Sequence, residues 1–331
     1  PYRRQRQMCI RDRYLSLQKI IDKIIMVAGK RKKIILAILE KIGRGITAKC
    51  MQKYLFLFSR SQMNERIYDF VPYRYGCFSF QANQDLVSLE KNGYIAINEV
   101  DKSDKEYTLL HQYHAFQDLD MFERKIIEEI CQLYGKMSQN ELIAYTYRKW
   151  PYTAINSVIK QHILSLDELD VVNKQKAKLI QTEPMLFTIG YEGFSLEKFL
   201  NRLIRLNVHT LVDVRKNAFS MKYGFSKGIL EKACNGVNVK YVHIPELGIE
   251  SSKRQTLVNQ NDYDELFDEY ECTTLRKYWN YLLQLHDIVE TDNRVCLMCF
   301  EKDPRQCHRT RVAKALMSLP QHKYKLNEIF L

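Results

Sequence analysis

The sequence predicts two domains of different class. The first is a mainly helical winged helix-turn-helix with additional helices, and the second is an α/β domain with a mostly parallel sheet and helices on both faces. Three observations lead there. Helical periodicity runs through the first half and is interrupted by a single pair of β-prone runs. After Pro184, short apolar strands alternate with amphipathic helices. A length of 331 residues with 46% hydrophobic and 27% charged composition is enough for two cores.

In the first half, Ile34, Ile35, Ile38, Leu39 and Ile42 fall on one helical face, and Gly43 and Gly45 end that helix. A second helix from about Thr47 carries Met51, Tyr54, Leu55 and Phe58 as its buried stripe. Ser79 reads as the N-cap of a third helix through Leu86 and Leu89, closed by Gly93. Tyr94–Val100 and Glu106–Leu110 are strands around a polar turn at 101–105. Three helices and a hairpin make the winged helix. Further helices are expected over Met121–Leu133, from Ser138 with Glu141 completing a capping box, and after Pro151. The module spans 30–165, a polar linker 166–184, and the α/β domain 185–331.

In the second domain, Met185–Ile189, Val208–Val214, Val239–Ile244 and Arg294–Phe300 are the expected strands. Ser195 caps a helix through Leu196, Phe199, Leu200, Leu203 and Ile204, and Ser226 caps a short helix to about Cys234. Helices follow around 263–270, 274–289 and 308–319.

Composition excludes several classes. Abundant Ile and Leu with 15 Phe and 21 Tyr supply burial and exclude dominant disorder. The densest aliphatic run, Ile34–Leu39, is far short of the roughly 18–20 residues of a membrane span. Nine cysteines without an export signal indicate reduced thiols in a cytoplasmic protein. The first thirteen residues, PYRRQRQMCIRDR, resemble translated sequencing-adapter read-through rather than a basic arm that touches nucleic acid. They carry five Arg and one Asp, a net +4 that leaves +8 of the +12 total. That balance still suits a nucleotide or nucleic-acid partner.

The unusual residues of the second domain collect after the strands. Gly190, Tyr191, Glu192 and Gly193 follow the first strand, and Asp213 and Arg215 end the second. His243, Pro245, Glu246 and Gly248 end the third, and Cys299 and Glu301 end the fourth, with Cys307, His308 and Arg309 just beyond. In an open parallel sheet these ends share one crevice, where ligands bind.

The same residues carry a resemblance. TIGYEG (188–193), LVDVR (211–215), YGFSK (223–227), IPELG (244–248), CFE (299–301) and CHR (307–309), in this order, are similar to the family known as the domain of unknown function 488. The resemblance spans about 185–317 and implies an α/β domain with an active site, without a particular reaction. Members often have proline near Ala218, which this chain lacks. YDFVPYRYGCFSF (68–80) with its following helix, and YRKWPYTAINS (147–157), resemble the Panacea-type winged-helix modules of antitoxins and regulators. The outward positions expected on the third helix, Gln81, Gln84, Asp85, Ser88, Glu90 and Lys91, offer little positive charge for phosphates. The run Lys30-Arg31-Lys32-Lys33 offers some, so DNA and a protein partner both stay open.

Each candidate has two readings. Glu192 either stabilises a helix start or acts as acid or base. Asp213 and Arg215 share one strand face, as an ion pair or with Arg215 forking a phosphate. His243 and Glu246 suit a proton-transfer pair, or a half-buried histidine with a nearby acid. Cys307 near a helix start, beside Arg309 and Arg311, either moves towards thiolate and acts as a nucleophile or is a small buried cysteine, with Cys299 the second thiol. The catalytic set is thus Glu192, His243, Glu246, Cys299, Glu301, Cys307 and His308. The substrate-binding set is Gly190, Tyr191, Gly193, Asp213, Arg215, Phe225, Lys227 and Arg309.

Cys296-x-x-Cys299 with Cys307 and His308 has zinc-ligand types, but residues three apart on a strand face opposite ways, which argues against a metal. Cys299 to Arg305 has the spacing of Cys-dependent phosphatases, yet that loop is acidic and lacks glycine. Gly190 to Gly193 falls short of the longer G-x-G-x-x-G dinucleotide fingerprint, which argues against NAD and leaves the cofactor unknown. Basic Lys216, Lys222, Lys253 and Arg254, interleaved with Phe219 and Tyr223, suit either a base-stacking site or solvated loop lysines beside core aromatics. The leading expectation is an enzyme acting on a nucleotide or nucleic-acid base. The alternative is a nucleotide-sensing regulator or defence-associated protein whose winged helix binds DNA or a partner.

Overall fold

A computed structural model of the chain describes residues 29–63, 65–101, 104–254 and 257–329. The thirteen N-terminal residues set apart above lie outside the described residues. Two units are distinguished: residues up to Phe70 with Cys77–Lys149, and Val71–Gly76 with Trp150–Leu331.

In the first unit, helix α1 is described over residues 29–42, with Ile34, Ile35, Ile38 and Leu39 buried on the predicted face. Strand β1 (Ile46–Thr47) leads into α2 (Ala48–Ser61), whose first turn is capped by the Thr47 side chain accepting from the Cys50 N–H. Every residue from Cys50 to Ser59 is buried, so α2 is the central helix of this unit. Strand β2 (Val71–Tyr73) counts with the second unit, where the Tyr73 hydroxyl donates to the Lys232 carbonyl at 3.1 Å. After β3 (Gly76–Phe78), Ser79 caps α3 (Phe80–Lys91) as the sequence predicts. Strands β4 (Ile95–Asp101) and β5 (Asp104–Leu109) pair antiparallel, and β1 joins the free side of β5. The tip of the expected turn, 102–103, lies outside the described residues. Capping boxes from Asp120 and Ser138 start α4 (Met121–Tyr134) and α5 (Gln139–Lys149).

Two expectations for this half change. Asp85 does not face outward. It is 4% exposed and accepts from Arg31 Nε at 2.6 Å, the Tyr68 hydroxyl at 2.9 Å and the Gln81 amide at 3.0 Å. The basic run is largely neutralised, with Lys30 on Glu123, Arg31 on Asp85 and Lys33 on Asp118. Side chains near in space, invisible to helical periodicity, decide both.

In the second unit, the helix expected after Pro151 is only a 3-10 turn, Pro151–Ala154, closed by i→i−3 bonds such as the Thr153 N–H to the Trp150 carbonyl at 2.9 Å. Two helices follow, α6 (Lys160–Ile163) and α7 (Leu166–Ala177). A capping box of Ser165 and Glu168 orders α7 within the segment expected as a linker. The division between the units falls earlier, at Lys149/Trp150.

The α/β part then follows: β6 (Met185–Gly190), α8 (Leu196–Arg205), β7 (Thr210–Asp213), α9 (Lys227–Asn235) and β8 (Lys240–His243). It continues through α10 (Gln260–Tyr270), a π-turn over Glu271–Leu275, α11 (Trp279–Asp292), β9 (Arg294–Cys299), α12 (His308–Met317) and β10 (Lys325–Ile329). All neighbouring strands of the five-stranded sheet are parallel, in the order β10-β6-β9-β7-β8. Each residue of β9 is buried, as a strand covered on both faces must be. Leu196, Phe199, Leu200, Leu203 and Ile204 turn the apolar face of α8 inward. No helix of the described residues is long and apolar enough to cross a membrane.

Candidate active site

The strand order decides where the chemistry converges. β9 lies between β6 and β7, with Gly190 opposite Cys299 and Asp213 opposite Met298. The chain therefore leaves β6 and β7 on either side of the end of β9, a switch point of the kind at which open parallel sheets bind ligands. The Tyr191 and Glu192 N–H groups extend the ladder to the carbonyls of Cys299 (3.1 Å) and Phe300 (2.9 Å). Gly190 is required by closeness. A Cβ there would lie 1.8 Å from the Glu301 carbonyl oxygen. Gly193, at φ 84°, makes the turn into α8 in the left-handed region.

A pocket of about 350 Å³ opens over this edge. Cys299, Glu301 and His308 line it together with Tyr191, Arg215 and Arg254, and Lys216, Phe219, Met221 and Lys222 come from the loop after β7. Phe219 and Met221 are 66% and 91% exposed, large apolar side chains standing in solvent at the rim. Tyr191 is held from behind, stacked on buried Phe225 with centroids 4.3 Å apart and planes at 9°. Burial holds the Lys222 ammonium below its ordinary pKa against the pull of Glu192, and its Nζ donates to the Tyr191 carbonyl at 3.1 Å.

Three donor atoms meet beneath the pocket: Cys299 Sγ, Cys307 Sγ and one ring nitrogen of His308, all within 4.8 Å of one another and all three residues buried. Arg254 Nη2 lies 2.6 Å from His308 Nδ1, and a guanidinium can only donate. Nδ1 is therefore the acceptor, and the protonated Nε2 donates to the Val214 carbonyl at 2.8 Å. The Cys299 thiol lies 3.3 Å from Glu301 Oε2 and 3.6 Å from His308 Nδ1. Arg254 also pairs with Glu301. Burial would raise the Glu301 pKa, but Arg254 and the Cys307 thiol outweigh it and hold the carboxylate below its usual range.

Cys307 behaves otherwise than its place at a helix start suggests. It is the N-cap residue of α12 and fully buried, and burial, reinforced by Cys299, pushes its thiol well above the ordinary value. Desolvation, with Cys299 and Glu301 beside it, exceeds the lowering by the hydrogen bond to His308.

The arginines expected to hold an anion are already committed. Arg215 donates from Nε and Nη2 to both carboxylate oxygens of Asp213 (2.8 and 2.6 Å), from Nη1 to the Tyr191 hydroxyl, and from Nη2 to the Phe225 carbonyl. Asp213 also accepts from the Tyr241 hydroxyl at 2.7 Å. This is the ion-pair reading, and Arg215 orders the pocket wall. Arg309, 1% exposed, donates to the carbonyls of Glu301 and Lys302 and so fixes the backbone under the pocket.

Other candidates stand apart from the floor. Glu192 is exposed and accepts from the Lys302 N–H at 2.9 Å, tying two loops together. His243 Nε2 meets the Arg215 carbonyl at 2.9 Å, and among the described residues no hydrogen bond joins it to Glu246. Neither lines the pocket, nor do Lys227, exposed at the start of α9, and Phe225. Arg305 pairs with Asp303 in solvent, away from a phosphatase-like cradle. Cys296 takes no part in the three-atom cluster. The sequence reading placed Arg254 only among nearby basic residues and did not single out Phe300 or Ser251, which also line the pocket. The positive charge of Arg254 was the only signal, because Ser251–Arg254 is a short 3-10 turn without a periodic pattern.

A family model described as a domain of unknown function, DUF488, matches residues 195–316. The C-terminal part of the chain is similar to that family. The matched span includes Asp213, Arg215, Arg254, Cys299, Glu301, Cys307 and His308, while Gly190–Gly193 precede it. A search of curated proteins finds no match.

Proposed function

We propose that the second unit is an enzyme acting on a nucleotide or nucleic-acid base seated in the pocket over Cys299, Glu301 and His308. The observation that carries this reading is the convergence of a thiol, a carboxylate and an imidazole under a rim of exposed aromatic and half-buried basic groups. A base has a π-face for Phe219, and phosphates have Lys216 and Lys222 as cations near the mouth. Glu301, ionised and partly buried, is the acid/base candidate closest to the Cys299 thiol. The eight described cysteines are free, which supports a reducing, cytoplasmic setting.

The test is mass spectrometry of nucleotide, nucleoside and short oligonucleotide mixtures incubated with wild type, Cys299→Ser and Glu301→Gln. A product mass formed by wild type and lost in both variants, with circular dichroism unchanged, supports the reading. Absence of both turnover and binding by wild type across the mixtures refutes it.

A second reading, a regulator that binds a nucleotide without turnover, draws on the first unit. Helices α1 to α3 followed by the β4–β5 pair, with β1 alongside, suit a winged helix. The neutralised basic run and buried Asp85 favour a protein partner over DNA for that module. Ligand binding without product, with no salt-sensitive affinity for duplex DNA, would support this second reading.

A further inference from the structure

The donor atoms of Cys299, Cys307 and His308 lie within 4.8 Å of one another in a buried centre where each residue is 2% exposed or less. Thiolate and imidazole ligands are the set that selects zinc-class ions over magnesium or calcium. The Nε2–H of His308, bonded to the Val214 carbonyl, is the outer contact that metal-ligating histidines characteristically make, and it leaves Nδ1 unprotonated. Glu301 Oε2, 3.3 Å from Cys299 Sγ, is available as a fourth oxygen ligand. We propose that this centre binds one zinc-class divalent ion through Cys299, Cys307 and His308, with the fourth position facing the pocket at Glu301.

The electrostatics agree. Two thiolates balance a divalent ion, and Glu301 with Arg254 adds an already neutral pair. Arg254 now donates to the same Nδ1 that the ion needs, so it competes with the metal for one of its two partners and keeps the other. Binding converts two thiols to thiolates and releases two protons to solvent. The ligands come from the end of β9 and the start of α12, two elements that the sheet already fixes. A strand pair such as Cys296 and Cys299 could not provide this convergence.

The full chain, stripped with a chelator and desalted, is titrated with Zn²⁺ alone against a chromophoric competitor, and separately with Co²⁺. One equivalent bound, proton release on binding, and thiolate-to-cobalt charge-transfer absorption are expected. Cys299→Ser, Cys307→Ser and His308→Gln each weaken binding by more than the roughly 10–100-fold that loss of an outer-shell partner costs. Exposed Cys272→Ser has no effect, and Arg254→Ala tightens binding. No stoichiometric binding, or a cobalt spectrum lacking thiolate bands, overturns the proposal; the wild-type spectrum decides even where a variant fails to fold. No nucleotide is present, so the outcome is independent of the activity proposed above.

Discussion

Gly190→Ala tests how tightly the sheet edge is built around Glu301. An added Cβ would stand 1.8 Å from the Glu301 carbonyl oxygen and 2.6 Å from its carbon, with Arg309 Nη1 at 3.1 Å. The first contact must open to at least 3.0 Å, and the atoms in the way are backbone, already gripped by Arg309 at 2.6 Å. Overpacking of this kind costs about 1–3 kcal/mol. In a unit of this size that lowers Tm by roughly 2–4 °C per kcal/mol. Because Glu301 must move, its distance to the Cys299 thiol changes as well. Calorimetric unfolding gives the cost, and mass-spectrometric iodoacetamide labelling of Cys299 reports the altered surroundings. An alanine variant with wild-type Tm and wild-type labelling would refute the argument that Gly190 exists for this approach.

Asp213→Asn leaves the Arg215 guanidinium buried without its counter-charge, so denaturant unfolding should show a loss of about 3–5 kcal/mol; a loss under 1 kcal/mol would contradict the buried-pair reading. Phe219→Ala should weaken nucleotide binding by about 1–3 kcal/mol in a fluorescence titration. Its Tm should stay unchanged, because the ring is 66% exposed. Glu301 is held below the ordinary carboxylate pKa, so its contribution to stability is complete above that range and fades as pH falls through the lowered value. Across that window wild type should lose stability on acidification more steeply than Glu301→Gln, and parallel acid profiles would show that the carboxylate is not stabilised by the fold.

Much of this architecture is legible in the sequence because it is local. The hydroxyls of Thr47, Ser79 and Ser195 cap the helices they precede, and the i, i+3, i+4 stripe of α8 is its buried face. Alternating strand and helix patterns implied a parallel sheet, and the unusual residues at strand ends pointed to one edge. The edge strand β10 was missed, since KLNEI is half polar and its pairing with β6 depends on a segment far away in the chain.

Tertiary structure alone decided which of the gathered residues remain available. Placing β9 between β6 and β7 set Cys299 at the centre of the crevice. Asp213 took the fork of Arg215, backbone carbonyls took Arg309, and Arg254 arrived from a turn with no periodic signature. Burial then overrode the helix end at Cys307. Sequence patterns report what a residue prefers among its near neighbours in the chain. Charge pairing and desolvation depend on distances of a few ångströms between segments tens of residues apart, and only the folded sheet sets those distances.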